Sequence, residues 1–205
     1  MTLTRLHKAI SKASCIPKLY FFGFPISHID LSMASPLLLL LVFSMSASAL
    51  LVQASYVKET RMVLYFQDIS TGPNATSIPI AGIAGKLWTF TQFGTVYVTD
   101  DTMTEGPSPK SAVVGRAQGV SVAAALDGSN ALVLVSLVFT NKEYNGSTIE
   151  IQGNSKQFES VREVAVVSGT GKFRFARGYA TFESYFVDLP SAYSILRCNV
   201  TVQHY

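Results

Sequence analysis

The chain of 205 residues carries 16 Lys and Arg against 13 Asp and Glu, with 3 His and 2 Cys. Such a length suits one domain with an additional segment. Residues 1–54 hold four of the basic residues (Arg5, Lys8, Lys12, Lys18) and one acid (Asp30), so residues 55–205 keep 12 of each and are formally neutral. A neutral domain lacks the Lys and Arg surplus that displaces counterions from phosphates, which argues against a nucleic-acid partner. Beyond residue 54 the only histidine is His204 and the only cysteine Cys198. No His/Cys cluster is then available to hold zinc, and a triad built on a histidine base is hard to assemble.

In chain order, the first element is the apolar run PLLLLLVFSMSASALLVQA at residues 36–54. Ala47-Ser48-Ala49 and Val52-Gln53-Ala54 both fit the small-x-small pattern of a signal-peptidase site. A span needs about 20 apolar residues, and serines interrupt the second half of this run. A cleaved secretory signal over 33–54 is therefore expected, with no stable membrane anchor. The charged region of a signal normally leads directly into its apolar core. Met33 stands just before that core, in MASPLLLLL, so residues 1–32 read as an upstream extension and 55–205 as the mature domain.

From residue 62 onward the hydrophobic period is two. Strands are predicted at 62–69, 93–101, 113–126, 130–140, 147–153, 161–169, 171–189 and 193–204, all rich in Val, Ile, Phe, Tyr and Thr. Asp127-Gly128-Ser129-Asn130 and Glu143-Tyr144-Asn145-Gly146 are expected hairpin turns, the Asn-Gly pair suiting type I′. The connection from Ile69 to Gln92 is expected to be irregular and able to cap a barrel mouth. No segment has the pattern of a long amphipathic helix. The fold class is all-β, either a sandwich or an antiparallel barrel whose closure removes exposed edges.

Residues 169–182, GTGKFRFARGYATF, invite two other readings: a glycine loop for phosphate, or a basic-aromatic strand for single-stranded nucleic acid. A phosphate loop ends a strand and opens a helix, whereas these glycines precede another strand. A tight Ser-Gly-Thr-Gly hairpin is expected. Alternation then places Phe173, Phe175, Arg177, Tyr179 and Thr181 on one face, and Lys172, Arg174, Ala176, Gly178 and Ala180 on the other. Cys198 cannot pair within the mature domain, so it is either buried or bridges two chains. Its alternation with Leu196, Val200 and Val202 favours burial. Sequons at Asn74, Asn145 and Asn199 are candidate glycan sites. The first two lie in turns, and Asn199 lies within a strand, pointing away from the Cys198 face.

Five stretches occur together in one order: FGTVYVTDDTMTEGP (93–107), VVGRAQG (113–119), LVFTNKEYNGSTIEIQG (137–153), VREVAVVSGTGKFRFARGYA (161–180) and VQHY (202–205). They resemble the dirigent proteins of plants, and the likeness runs from about Met62 to Tyr205. It implies an eight-stranded antiparallel β-barrel of the allene-oxide-cyclase/dirigent type, secreted to the apoplast as a homo-oligomer (dimer or trimer). It implies a phenolic partner: phenoxy radicals, made by a separate laccase or peroxidase, whose coupling the barrel steers toward one lignan stereoisomer. Other members handle quinone methides or dehydrate isoflavanols to pterocarpans, and a non-catalytic phenolic-binding barrel in defence or wall assembly is a third possibility. No cofactor or metal is implied.

The resemblance also assigns site residues. Asp68 in FQDI matches the strand-one aspartate, with Gln67 where a histidine is usual, and Arg162 in VRE matches the pocket arginine. Both are candidate catalytic residues. Ser155 and Ser121 take pocket positions where lignan-forming members carry an aspartate and often a tyrosine, which favours a different substrate. An aspartate at a strand end is otherwise a common turn or cap residue. Arg162 could face outward beside Glu163 or Glu159. Its parity with Val164 and Val166 instead turns it to an apolar face, where a partner such as Asp68 is expected. Arg116 and Gln118 read as structural.

Overall fold

In the computed structural model the described residues are 57–205, together with 20–21, 24–25 and 43–45. The expected upstream extension and signal segment lie, apart from those few positions, outside the described residues. The chain divides into two units, Met1–Gln53 and Ala54–Tyr205. In the first, Tyr20–Phe21 (β1) pairs antiparallel with Phe24–Pro25 (β2). Among the described residues no helix is long and apolar enough to cross a membrane.

The second unit is built from β3 (Lys58–Ile69), β4 (Ser77–Ala81), β5 (Val96–Thr104), β6 (Val113–Ala123), β7 (Asn130–Phe139), β8 (Thr148–Lys156), β9 (Val161–Gly169), β10 (Arg177–Asp188) and β11 (Tyr193–His204). The antiparallel order is β3-β11-β10-β9-β8-β7-β6-β5. It closes where Tyr65, Phe66 and Gln67 of β3 face Thr104, Met103 and Thr102 of β5. The result is a closed eight-stranded barrel. β4 takes the part of the β5 edge that β3 leaves free, with Ser77 opposite Thr99 and Ile78 opposite Val98.

Period-two patterning sends alternate side chains inward. On β11 these are Leu196, Cys198, Val200 and Val202, and on β3 Met62, Leu64 and Phe66. Each such side chain, when fully buried, contributes about 1.5–3 kcal/mol of hydrophobic stabilisation. Cys198 is buried as expected, and burial pushes its thiol pKa upward.

The interior is solid at one end and hollow at the other. Phe139, Phe173, Met103, Leu137 and Ile149 fill the solid end. Phe173 lies 5.4 Å from Phe139 and 5.2 Å from the His204 ring. His204 accepts or donates one hydrogen bond with Thr60 Oγ1 at 2.9 Å. Toward the other end the inward positions shrink to Ser77, Thr99, Ser121, Ala131 and Ser155, and a cavity opens.

Three expectations need correction. The connection between β3 and β5 is not wholly irregular, because Ser77–Ala81 forms β4. The 169–182 stretch is not a tight hairpin: Gly171–Phe173 forms a 3₁₀ turn and β10 starts only at Arg177. That turn drives Phe173 inward, while Phe175 takes a left-handed φ of 61° and stays exposed. Strand alternation resumes with Ala180 inward. The turn before β8 is not type I′, because only Gly146 (φ 75°), and not Asn145, has positive φ. Type I′ requires positive φ at both central residues.

Candidate active site

The hollow end encloses a cavity of about 180 Å³ lined by Asp68, Asp101, Arg162, Ser121 and Ser155 among apolar walls such as Phe66, Val133 and Phe182. The four pocket residues expected from the sequence thus converge, although they come from β3, β9, β6 and β8. Asp101 is the residue that sequence reasoning missed.

Asp68 shares inward parity with Leu64 and Phe66 and is 8 % exposed. Ser70 Oγ donates to its Oδ1 at 3.1 Å. Burial in the apolar cavity raises its pKa, and the Ser70 hydrogen bond only partly opposes this. The β3 end is fastened to β5 through Thr76. Its hydroxyl accepts the Ile69 N–H at 2.9 Å and donates to Asp101 Oδ1 at 2.6 Å.

Asp100 and Asp101 are consecutive on β5 and therefore point to opposite faces. Asp100 points outward, where Arg116 Nε donates to its Oδ1 at 2.5 Å and holds its pKa low. Asp101 points inward and is 1 % exposed. Desolvation first, and the nearby Asp68 charge second, raise its pKa to about 7. The Thr76 hydrogen bond and the Arg116 charge oppose the shift without cancelling it, so burial keeps the Asp101 carboxyl protonated toward neutral pH. The signal was available in VYVTDDTM, since Asp101 shares parity with the core residues Tyr97 and Met103.

Arg162 faces inward, as its parity with Val164 and Val166 required. Asp68 is not its partner, and among the described residues it makes no ion pair with any carboxylate. Its Nε is buried without a hydrogen-bond partner, and Nη2 donates to Ser184 Oγ at 3.4 Å. Burial lowers its pKa, but a guanidinium remains charged at any ordinary pH. The cavity therefore presents an arginine without an ion-pair partner, a carboxyl at Asp101 that holds its proton toward neutral pH, and a second carboxyl at Asp68 whose charge helps to hold it there. Such a set can bind a phenolate oxygen and deliver a proton.

The sequons lie outside the cavity. Asn74 and Asn145 are exposed in turns. Asn199 is half-buried on the outer face, where its amide donates to Thr181 Oγ1 at 3.3 Å. Arg116 is an outer-face residue tied to Asp100 and Thr102.

Comparison with known proteins identifies the architecture. The sequence matches the family described as Dirigent-like protein over residues 59–203. Pterocarpan synthase 1 of Glycine max is 40% identical over 147 residues, covering 71% of this chain and 79% of that protein. Pterocarpan synthase 1 of Glycyrrhiza echinata is 38% identical, covering 85% and 96%. Dirigent protein 1 of Arabidopsis thaliana is 36% identical, covering 85% and 92%. The solved structure of the pterocarpan synthase dirigent protein GePTS1 superposes with a TM-score of 0.67 at 38% identity, over 73% of this chain and 86% of that one. A match across nearly the whole barrel in sequence and in structure makes this chain a member of the dirigent protein family.

Proposed function

We propose that this dirigent protein acts as a cofactor-free lyase on a hydroxylated phenolic, passing through a quinone methide and closing a ring with loss of water. The observation that carries the reading is the pair Asp68 and Asp101 in one apolar cavity beside an unpaired arginine. The Asp68 charge helps Asp101 to keep its proton, so the pair can hold one proton between them. Asp101 is the acid and Asp68 the base, because environments that separate two pKa values assign the roles. Similarity to two pterocarpan synthases supports the same substrate class.

The steps balance. Arg162 receives the ring hydroxyl as it ionises, and Asp68 takes that proton. The electron pair moves through the ring and breaks the benzylic C–O bond, and the leaving hydroxyl takes the Asp101 proton to depart as water. A second phenolic hydroxyl of the substrate adds to the methide carbon. Its proton returns to Asp101, and Asp68 gives its proton back to the ring oxygen. Both carboxyls end in their starting states.

Steering of phenoxy-radical coupling between monolignol-type phenols is the second reading, favoured by the retention of Asp68 with Arg162. It requires an external laccase or peroxidase. Incubation with a racemic 2′-hydroxyisoflavanol, without oxidant, separates the two. Ring-closed product formed faster with protein than without supports the lyase. No product there, but an enantiomeric excess of pinoresinol from coniferyl alcohol and laccase, replaces it with radical steering. Secretion to the apoplast, homo-oligomerisation and glycans at Asn74 and Asn145 belong to the same proposal, supported for the glycans by the exposure of both turns.

A further inference from the structure

The cavity volume limits what lies inside it. About 180 Å³ accommodates one aromatic ring, as apolar cavities of roughly 150 Å³ accommodate benzene. A two-ring phenol with one ring beside Asp68 and Arg162 extends its second ring toward Phe90 and Gln157, which line the same cavity. Phe90 sits on the connection between β4 and β5, in a stretch with no strand ladder of its own. It is nonetheless fixed. Its ring stacks on Tyr97 with centroids 4.0 Å and planes 11° apart, and the Tyr97 hydroxyl donates to Trp88 O at 2.9 Å.

Gln157, just after β8, holds the same segment from across the rim. Its side-chain amide donates to Phe90 O at 2.7 Å and to Gly128 O at 3.3 Å. Its backbone N–H donates to Ser129 O at 2.8 Å. Gly128 has a φ of +75°, and a Cβ there would lie 2.5 Å from Thr91 O, so the 124–129 turn presses on the Phe90 segment. One amide therefore joins three loops at the point where a ligand enters.

We infer that Phe90 is a specificity-determining residue, an aromatic platform for the second ring of the ligand, and that Gln157 is the positioning residue that fixes it. This rests on the phenolic reading of the cavity. One face of Phe90 is covered by Tyr97, and the ring is still 45 % exposed. An incoming second ring completes a three-layer stack, whereas a one-ring phenol held by Asp68 and Arg162 has no second ring to place there.

The test uses the isoflavan equol, which lacks the benzylic leaving hydroxyl, and the one-ring p-cresol, each titrated calorimetrically into the protein. A stacked aromatic pair is worth about 0.5–1.5 kcal/mol, so Phe90→Leu weakens equol binding about two- to tenfold and leaves p-cresol unchanged. Trp88 is the sole tryptophan, so acrylamide quenching of its emission reports this segment directly. Gln157→Ala, or the similarly sized non-donor Gln157→Met should the first variant fail to fold, raises that quenching without ligand and weakens equol selectively. Equal losses for both phenols, or no loss of equol in Phe90→Leu, overturn the platform. Unchanged quenching overturns the clamp. A wild-type protein that binds neither phenol sinks the cavity reading and the platform with it, while the ligand-free quenching still decides the role of Gln157.

Discussion

Adjacent aspartates on one strand show how far a single pleat separates two chemistries. Asp100, outward and paired with Arg116, is an ordinary low-pKa acid. Asp101, inward, keeps its proton to about pH 7. Asp101→Asn retains the shape and an acceptor for Thr76 but cannot give up a proton, so turnover should fall about 10²–10⁴-fold with binding largely kept. Steady-state kinetics with the isoflavanol would check this, and an active Asp101→Asn would exclude it as the acid. In the parent protein, kcat should decline as pH rises through about 7, where Asp101 ionises. Cys198, by contrast, is fully buried with its thiol pKa raised. It should resist thiol reagents until the protein unfolds, since only the thiolate reacts. A colorimetric thiol assay with and without denaturant reads this directly. Asp68 and Arg162 could be picked out because family motifs flank them and parity turned Arg162 inward. Asp101 stood in the same motif, but an acid on an apolar face contradicts hydrophobic patterning, and only the folded cavity, with Thr76 donating to the carboxyl, reveals why it is tolerated.

At the scale of elements, the strands that alternate cleanly were legible and the departures from alternation were not. β9 and β11 match their predicted limits, 161–169 and 193–204, because apolar residues alternate through their middles (Val164 and Val166; Leu196, Cys198, Val200 and Val202), with Gly169 ending the one and Pro190 just before the other. β4 escaped because SIPIA is short, carries Pro79 and lies among turn residues, features that fit an edge strand as well as a loop. The 170–176 segment escaped because its 3₁₀ turn and left-handed Phe175 replace a period that the residue pattern continues. On β6 the inward residues Gly115, Ala117, Gly119 and Ser121 are all small, which leaves volume for Phe139 at one end and the cavity at the other. Gly119 has a second reason to lack a side chain. A Cβ there would lie 2.1 Å from Leu134 O on β7, and a backbone carbonyl in a ladder cannot swing away. Gly119→Ala should therefore destabilise the barrel by about 1–3 kcal/mol through overpacking. A melting temperature equal to that of the parent would show that β6 and β7 can separate locally at little cost.

For the whole molecule, the two buried acids make stability depend on pH in a direction opposite to that of most carboxylates. The usual case is present too: Glu59, Asp100 and Asp127 have lowered pKa values, and their contribution is complete above the unfolded carboxylate range. Asp101 behaves inversely. Its pKa rises from 3.8 unfolded to about 7 folded, so between those values the unfolded chain has released a proton that the barrel retains. Stability is then fully present below the unfolded pKa and is lost as pH rises to the folded one, with no further loss above it. At 1.36 kcal/mol per pH unit, the interval from pH 5 to 8 costs about 3 kcal/mol, or roughly 5–10 °C in melting temperature for a domain of this size. Asp68, whose pKa is also raised by burial, acts in the same direction. Asp101→Asn removes the larger share of the titration, so its melting temperature should vary little over that range and exceed that of the parent at pH 8. A parent melting temperature that is flat or rising from pH 5 to 8 would show that both carboxyls are already ionised in the folded barrel, and would remove the proton donor on which ring closure depends.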